Sequence, residues 1–244
     1  MDKVGYDGES IRNKFNAVVD RVNRAATRAG RTPAEIQLVV VTKTHPVDVV
    51  KSVVEAGATD LGENYVEAAI PKIQALSSYR NIRWHMIGHI QSRKAQDVCG
   101  YFHYVHSLDS VKLAERMSRF AGSRAEPLPV WLEFNVGGEE TKSGWNISHR
   151  GDWGSVLPDL ERVFILPNLK YVGAMCVPPY SSNPEDSRPY YRQLCEFQQY
   201  IRDHFSLVGF TGLSMGMSGD FEVAIQEGST CVRIGQAILG PRNV

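Results

Sequence analysis

One lysine, Lys43, closes a run of large apolar residues, Leu38-Val39-Val40-Val41, with Thr42 between them. An apolar run that ends abruptly in an ammonium group reads as a buried strand whose last side chain reaches out of the core. His45-Pro46 follows, so the chain turns there. Partial burial disfavours the charged form of an amine, and a neutral amine is the form that attacks a carbonyl carbon. The plainer alternative is a lysine that snorkels from a strand edge with no chemistry attached.

Two glycine-rich segments late in the chain suggest a second kind of chemistry. Leu213-Ser214-Met215-Gly216-Met217-Ser218-Gly219 offers a hydroxyl at Ser214 and unhindered backbone N–H groups around Met215 and Gly216. Gly235 follows the run Cys231-Val232-Arg233-Ile234 and opens the short segment Gln236-Ala237-Ile238-Leu239. Loops of this kind after the last strands of a barrel cradle phosphate, although each glycine cluster is also what a tight turn requires. Arg233 stands between Val232 and Ile234, so strand alternation puts it on the opposite face. If its neighbours face helices, the arginine points inward and needs a partner: Glu133 or Glu63 as a structural ion pair, or an acidic or heteroaromatic ligand. Together these groups describe a seat for pyridoxal 5′-phosphate, with Lys43 forming the aldimine, Ser214 and Gly235 at the phosphate and Arg233 facing the pyridine nitrogen. A permanent cation at that nitrogen makes the ring a weaker electron sink and disfavours transaminase-like chemistry. A barrel that binds a phosphorylated metabolite, with Lys43 only as counter-ion, remains open from the same residues.

The elements that must position these groups alternate. Strand-like runs fall at residues 37–42, 59–62, 83–87, 104–107, 130–136, 169–177, 209–215 and 231–234. Helix-like runs fill the gaps at 47–56, 65–76, 92–99, 110–120, 153–163, 184–204 and 221–227, after an amphipathic helix at 9–30. This is the pattern of a single α/β domain over residues 1–244, a (β/α)8 TIM-type barrel with an extra N-terminal helix. A doubly wound open sheet is the alternative, because alternation does not decide closure. Polar and glycine residues crowd the strand ends, at Lys43, Glu63-Asn64-Tyr65, His85 to His89, Lys142-Ser143-Gly144 and Ser214 to Asp220, where barrel enzymes keep their chemistry.

Composition narrows the classes. Lys+Arg and Asp+Glu are both 27, so no basic field points to nucleic acid. The row Arg21, Arg24, Arg28, Arg31 reads as a solvated helix face. The 4 cysteines form no CxxC pair, which suits free thiols in a reducing cytoplasm and argues against zinc; His89, His103 and His106 have no credible metal spacing. No signal peptide or membrane-length apolar run is present, so a cytoplasmic monomer without membrane or nucleic-acid partners is expected.

The motifs Val41-Thr42-Lys43-Thr44, Gly62-Glu63-Asn64-Tyr65, Trp84-His85-Met86-Ile87-Gly88, Lys142-Ser143-Gly144, Leu213-Ser214-Met215-Gly216-Met217-Ser218 and Gly228-Ser229-Thr230-Cys231-Val232-Arg233-Ile234-Gly235 occur in order along nearly the whole chain. This set resembles the pyridoxal phosphate homeostasis protein family, also described as proline-synthase co-transcribed proteins. The resemblance implies a barrel similar to the N-terminal domain of alanine racemase, with the cofactor on Lys43. It also implies a cofactor site made of Lys43, Asn64, His85, Ser214, Met215, Gly216, Arg233 and Gly235. Departures are local: Thr42 where many members have serine, His89 where many have proline, and Ala174 where leucine is usual.

The resemblance further implies a role in buffering or delivering pyridoxal phosphate, without turnover of a substrate and with apo-enzymes that need the cofactor as candidate recipients. A small enzyme such as an amino-acid racemase is the alternative. A racemase of this architecture takes its second base from a further domain, and the chain closes shortly after Arg233. Inside the chain, His85, Tyr65 and Cys176 are the remaining acid–base candidates, each equally readable as packing, so no catalytic residue is assigned.

Overall fold

The valine run becomes β1 (Gln37–Val41), flanked by β2 (Asp60–Glu63) on one side and by the last strand, β9 (Cys231–Ile234), on the other. The computed structural model describes residues 8–240. Beyond β2 lie β3 (Arg83–Met86), β4 (Tyr104–Leu108) and β5 (Leu128–Asn135), then β7 (Leu169–Met175) and β8 (Gly212–Ser214), which pairs with β9. Every pairing is parallel, and β4 pairs with β5, so the eight strands form a closed ring. That pairing removes the open-sheet alternative. A two-residue strand absent from the sequence reading, β6 (Trp145–Asn146), pairs with the end of β5 outside the ring.

Helices cover the ring: α1 (Gly8–Arg28), α2 (Val47–Glu55), α3 (Val66–Ala75), α4 (Ala95–Tyr101), α5 (Val111–Ala121), α6 (Leu157–Phe164), α7 (Arg188–Phe205), α8 (Phe221–Gln226) and α9 (Gln236–Leu239). The extra helix α1 buries Ile11, Phe15, Val18, Val22, Ala25 and Ala26, and packs against α2, α8 and α9. Its arginines are not merely solvated, as the sequence suggested. Arg21 makes a two-pronged bond to Glu222 and lies 4.7 Å over the Phe221 ring, while Arg31, past the helix end, donates to the Ser229 and Ile225 carbonyls. Among the described residues, no helix is long and apolar enough to cross a membrane.

Alternation along the strands sorts two environments. Val40, Val232 and Ile234 join the apolar layer between strands and helices. The intervening positions turn inward, and the interior is polar where many barrels carry branched apolar side chains: Asp60, His85, His106, Ser214 and Arg233 are all buried. Room for Trp131 is left by glycines in register on neighbouring strands. A Cβ at Gly212 would stand 2.8 Å from the Trp131 Nε1, and one at Gly173 would stand 1.8 Å from the Gly212 carbonyl.

Candidate functional site

Lys43 lies two residues past the end of β1, half-buried, in the turn before α2. The turn is anchored below by a buried ion pair: Lys72 Nζ from α3 donates to Glu63 Oε1 at 2.7 Å and to the Thr42 carbonyl at 2.9 Å. Thr42 Oγ1 donates to the same Glu63 oxygen at 2.7 Å. Glu63 is thereby committed to Lys72 and is not the partner of Arg233. Thr44 has φ of 67°, a left-handed conformation that costs a β-branched residue about 1–2 kcal/mol. Such a conformation persists only where its surroundings hold it; on one side Thr42 is fixed by Glu63 and Lys72, and the His45 amide closes the turn onto the Thr42 carbonyl at 3.2 Å. Lys72 was not singled out in the sequence. The available signal was a lysine in register with the buried Ala69 and Leu76 on one helical stripe.

Asn64 continues from β2 beside this turn. Its side-chain Oδ1 is buried without a hydrogen-bond partner among the described residues. Gly88, just past β3, allows the close approach: a Cβ there would lie 2.5 Å from the Asn64 carbonyl oxygen.

On the far side of β1, the segment after β8 curves at Gly216, whose φ is 96° and whose Cβ would meet Ala224 of α8 at 2.6 Å. The Gly216 carbonyl accepts from the Arg233 amide at 3.0 Å, and the Met215 amide donates to the Cys231 carbonyl at 3.1 Å. Gly235 lets β9 pass close to β1, since a Cβ would lie 3.1 Å from Val41. Ser218 Oγ sits between these two loops and accepts from the Ala237 amide at 3.3 Å.

Ser214 and His85 are both sealed in the barrel interior. Ser214 is fully buried, with its Oγ 2.6 Å from Arg233 Nη1 and 2.7 Å from His106 Nδ1. His85 has no exposed surface, and its ring nitrogens contact His106 and Asp60, both at 2.9 Å. Arg233 is held in the interior by the Ser214 Oγ and by the main-chain carbonyls of Ser214 (2.7 Å) and Cys176 (2.9 Å). Cys176 lies under this guanidinium, yet burial pushes its thiol up to about 12, so it is an inert neighbour. Tyr65 is exposed at the mouth.

The mouth also has an acidic side. Glu133, on the inner face of β5, lines a pocket of about 210 Å³ with Asn135, Lys142, Ser143 and Val177. Burial and the nearby Asp109 charge lift its carboxyl to about 7, against the opposing pull of Arg233. Lys142 pairs with Glu139 and donates to the Val177 carbonyl at 3.2 Å, drawing the loop after β5 towards the end of β7. His89 Nδ1 lies 2.9 Å from Asp109 and 3.1 Å from Ser143, tying the loops after β3, β4 and β5 together.

Residues 14–243 match the family described as alanine racemase, N-terminal domain. A pyridoxal phosphate homeostasis protein of Aquifex aeolicus is 39% identical over 230 residues, covering 94% of this chain and 97% of that one. The chain belongs to the pyridoxal phosphate homeostasis protein family. A solved structure of similar build is PipY of Synechococcus elongatus with pyridoxal phosphate bound, 30% identical with a TM-score of 0.76 over 90% of this chain and all of that one. A solved protein of Bifidobacterium adolescentis superposes more fully, with a TM-score of 0.86 at 30% identity over 98% of both chains. Family membership agrees with the barrel and with the crowding of polar groups at its C-terminal mouth.

Proposed function

We propose that this chain holds pyridoxal 5′-phosphate at the C-terminal mouth of its barrel, joined covalently to Lys43, and buffers or delivers it without turning over a substrate. The observation that carries the reading is the juxtaposition of Lys43, presented past the end of β1, with the interior Arg233 of the adjacent β9. The remaining donors and acceptors fit the group. The buried, unpartnered Asn64 Oδ1 suits a ring hydroxyl, and Ser218 with the backbone at Gly216 and Gly235 suits a phosphate. The bound cofactor supplies an aldehyde that condenses reversibly with an amine. The protein's own residues do the rest: Lys72 and Glu63 hold Thr42 and so the Lys43 turn, and Arg233 offers a fixed positive charge that gives up no proton. The structure of PipY with the cofactor, at 30% identity, supports the assignment.

The test is the visible spectrum of purified protein before and after borohydride, followed by peptide mass mapping. The expected result is a cofactor band lost on reduction, with the label on Lys43. A Lys43→Ala protein that is still labelled after reduction would refute the attachment site.

One observation favours a second reading, a small cofactor-dependent enzyme such as an amino-acid racemase. Glu133, with a carboxyl near 7, is poised to exchange protons at neutral pH beside Arg233. Incubating the loaded protein with amino acids in deuterated water separates the two: catalytic exchange at Cα supports the enzyme, and no exchange supports the carrier.

A further inference from the structure

Four hydrogen bonds run in series across the barrel interior. Arg233 Nη1 lies 2.6 Å from Ser214 Oγ, which lies 2.7 Å from His106 Nδ1. His106 Nε2 lies 2.9 Å from His85 Nδ1, and His85 Nε2 lies 2.9 Å from Asp60 Oδ1. The path begins under the mouth at β9 and β8, crosses through β4 and β3, and ends at the first residue of β2 near the opposite end.

The proton positions follow from the two ends. A guanidinium has only donors, and a carboxylate has only acceptors. Asp60 is ionised: burial opposes its charge, but bonds from His85, Arg83 and Thr59 outweigh that and hold it at about 2. His85 Nε2 therefore carries the proton facing Asp60. A neutral His85 then has a bare Nδ1, which needs His106 Nε2–H. A neutral His106 in turn has a bare Nδ1, which accepts from Ser214 O–H, leaving the Ser214 oxygen to accept from Arg233. Reversing any link sets two lone pairs against each other unless an imidazole gains a second proton. Burial disfavours that for both rings, and His106 also faces the charge of Arg233. Both rings are clamped flat, His85 on Tyr104 at 4.6 Å and His106 on Trp131 at 4.2 Å.

We propose that Asp60, His85, His106 and Ser214 form a one-directional hydrogen-bond relay, with both imidazoles neutral and protonated at Nε2, that locks Arg233 in place, which makes His106 and His85 positioning residues for the cofactor. The last clause rests on the cofactor reading above; the relay does not. Hydrogen bonds aligned head to tail in a low-dielectric interior polarise and strengthen one another. Removing the His106 acceptor leaves the Ser214 hydroxyl only the buried Cys231 sulfur, a weak acceptor, to turn to, and loosens the fork that it shares with Arg233.

Two measurements test this. On cofactor-free protein labelled with ¹⁵N-histidine, long-range ¹H–¹⁵N spectra between pH 6 and 8 should show both interior rings neutral and protonated at Nε2, with peaks assigned by loss in His85→Asn and His106→Asn. An Nδ1–H tautomer or an imidazolium at either ring would overturn the relay. On cofactor-loaded protein, His106→Phe keeps a flat ring over Trp131 but no nitrogen, while His106→Asn keeps an acceptor towards Ser214. His106→Phe should release the cofactor about tenfold faster, the value of the Arg233–Ser214 bond that it loosens, and shift the bound absorbance maximum. His106→Asn should restore most of both. Unchanged release and spectrum in His106→Phe, or an Asn variant no better than Phe, would overturn the positioning role. If wild-type protein takes up no cofactor, the functional reading fails, while the tautomer spectra still decide the relay.

Discussion

Replacing Glu133 with glutamine should make the protein more stable at alkaline pH and change it far less in mild acid. Glu133 sits part-buried on the inner face of β5, and burial, then the Asp109 charge, raise its carboxyl from the ordinary 4.5 to about 7, with Arg233 opposing. A carboxyl whose pKa is higher in the folded state binds protons more tightly there. Folding is therefore disfavoured progressively as pH rises from the unfolded value through the folded one. With those two values the cost is about 0.8 kcal/mol at pH 5 and about 3.3 kcal/mol at pH 8. Glutamine has nearly the same shape and no charge to bury, so the variant escapes this dependence. The stability difference, variant minus wild type, should rise by about 2.5 kcal/mol between pH 5 and pH 8. Other titrating groups are common to both proteins and cancel. Urea unfolding of the cofactor-free proteins, compared at a common slope, measures this without a contribution from ligand binding. A difference that stays constant within about 0.5 kcal/mol, or falls as pH rises, would show that Glu133 is not ionised under strain.

Lys72→Met should cost about 3–5 kcal/mol because it leaves Glu63 buried and uncompensated, whereas Lys72→Met with Glu63→Leu should recover most of that loss; chemical denaturation of both checks it. Asp60→Asn should lose about 2 kcal/mol at neutral pH, since the depressed carboxyl stabilises the fold above its unfolded value of 3.8 and loses that contribution as pH falls through about 2; variant and wild-type thermal midpoints should converge in acid. Gly88→Ala puts a Cβ 2.5 Å from the Asn64 carbonyl and should cost at least about 1–3 kcal/mol by the same denaturation assay, with weaker cofactor retention because Asn64 must shift.

Much of the architecture was legible from local patterns. The run Leu38 to Val41 had to be a buried strand, the spacing of Ile11, Phe15, Val18 and Val22 had to be a helix stripe, and Val232-Arg233-Ile234 had to send the arginine opposite to its neighbours. Each follows from side-chain period alone. The short β6 was not legible, because two residues pairing with the end of β5 leave no periodic trace. The site was legible in part. Lys43, Gly216, Arg233 and Gly235 advertise themselves by type and by position at strand ends, while Lys72 looks like any helix lysine and His106 was weighed only as a metal ligand.

What the sequence determined by itself is therefore the eight strands of the ring with the main helices between them, the inward face of β9 and a lysine just past the end of β1. Closure was a tertiary decision, made where β4 pairs with β5. So was the destination of each polar group. Ser214 and Ser218 are four residues apart with the same hydroxyl, yet one is sealed between Arg233 and His106 and the other meets the loop after β9. Local spacing cannot separate them, because burial and hydrogen-bond partners come from other elements: Arg233 and Ala237 lie 19 residues on from their serines, and His106, 108 residues from Ser214, is joined to it by a single bond across the barrel.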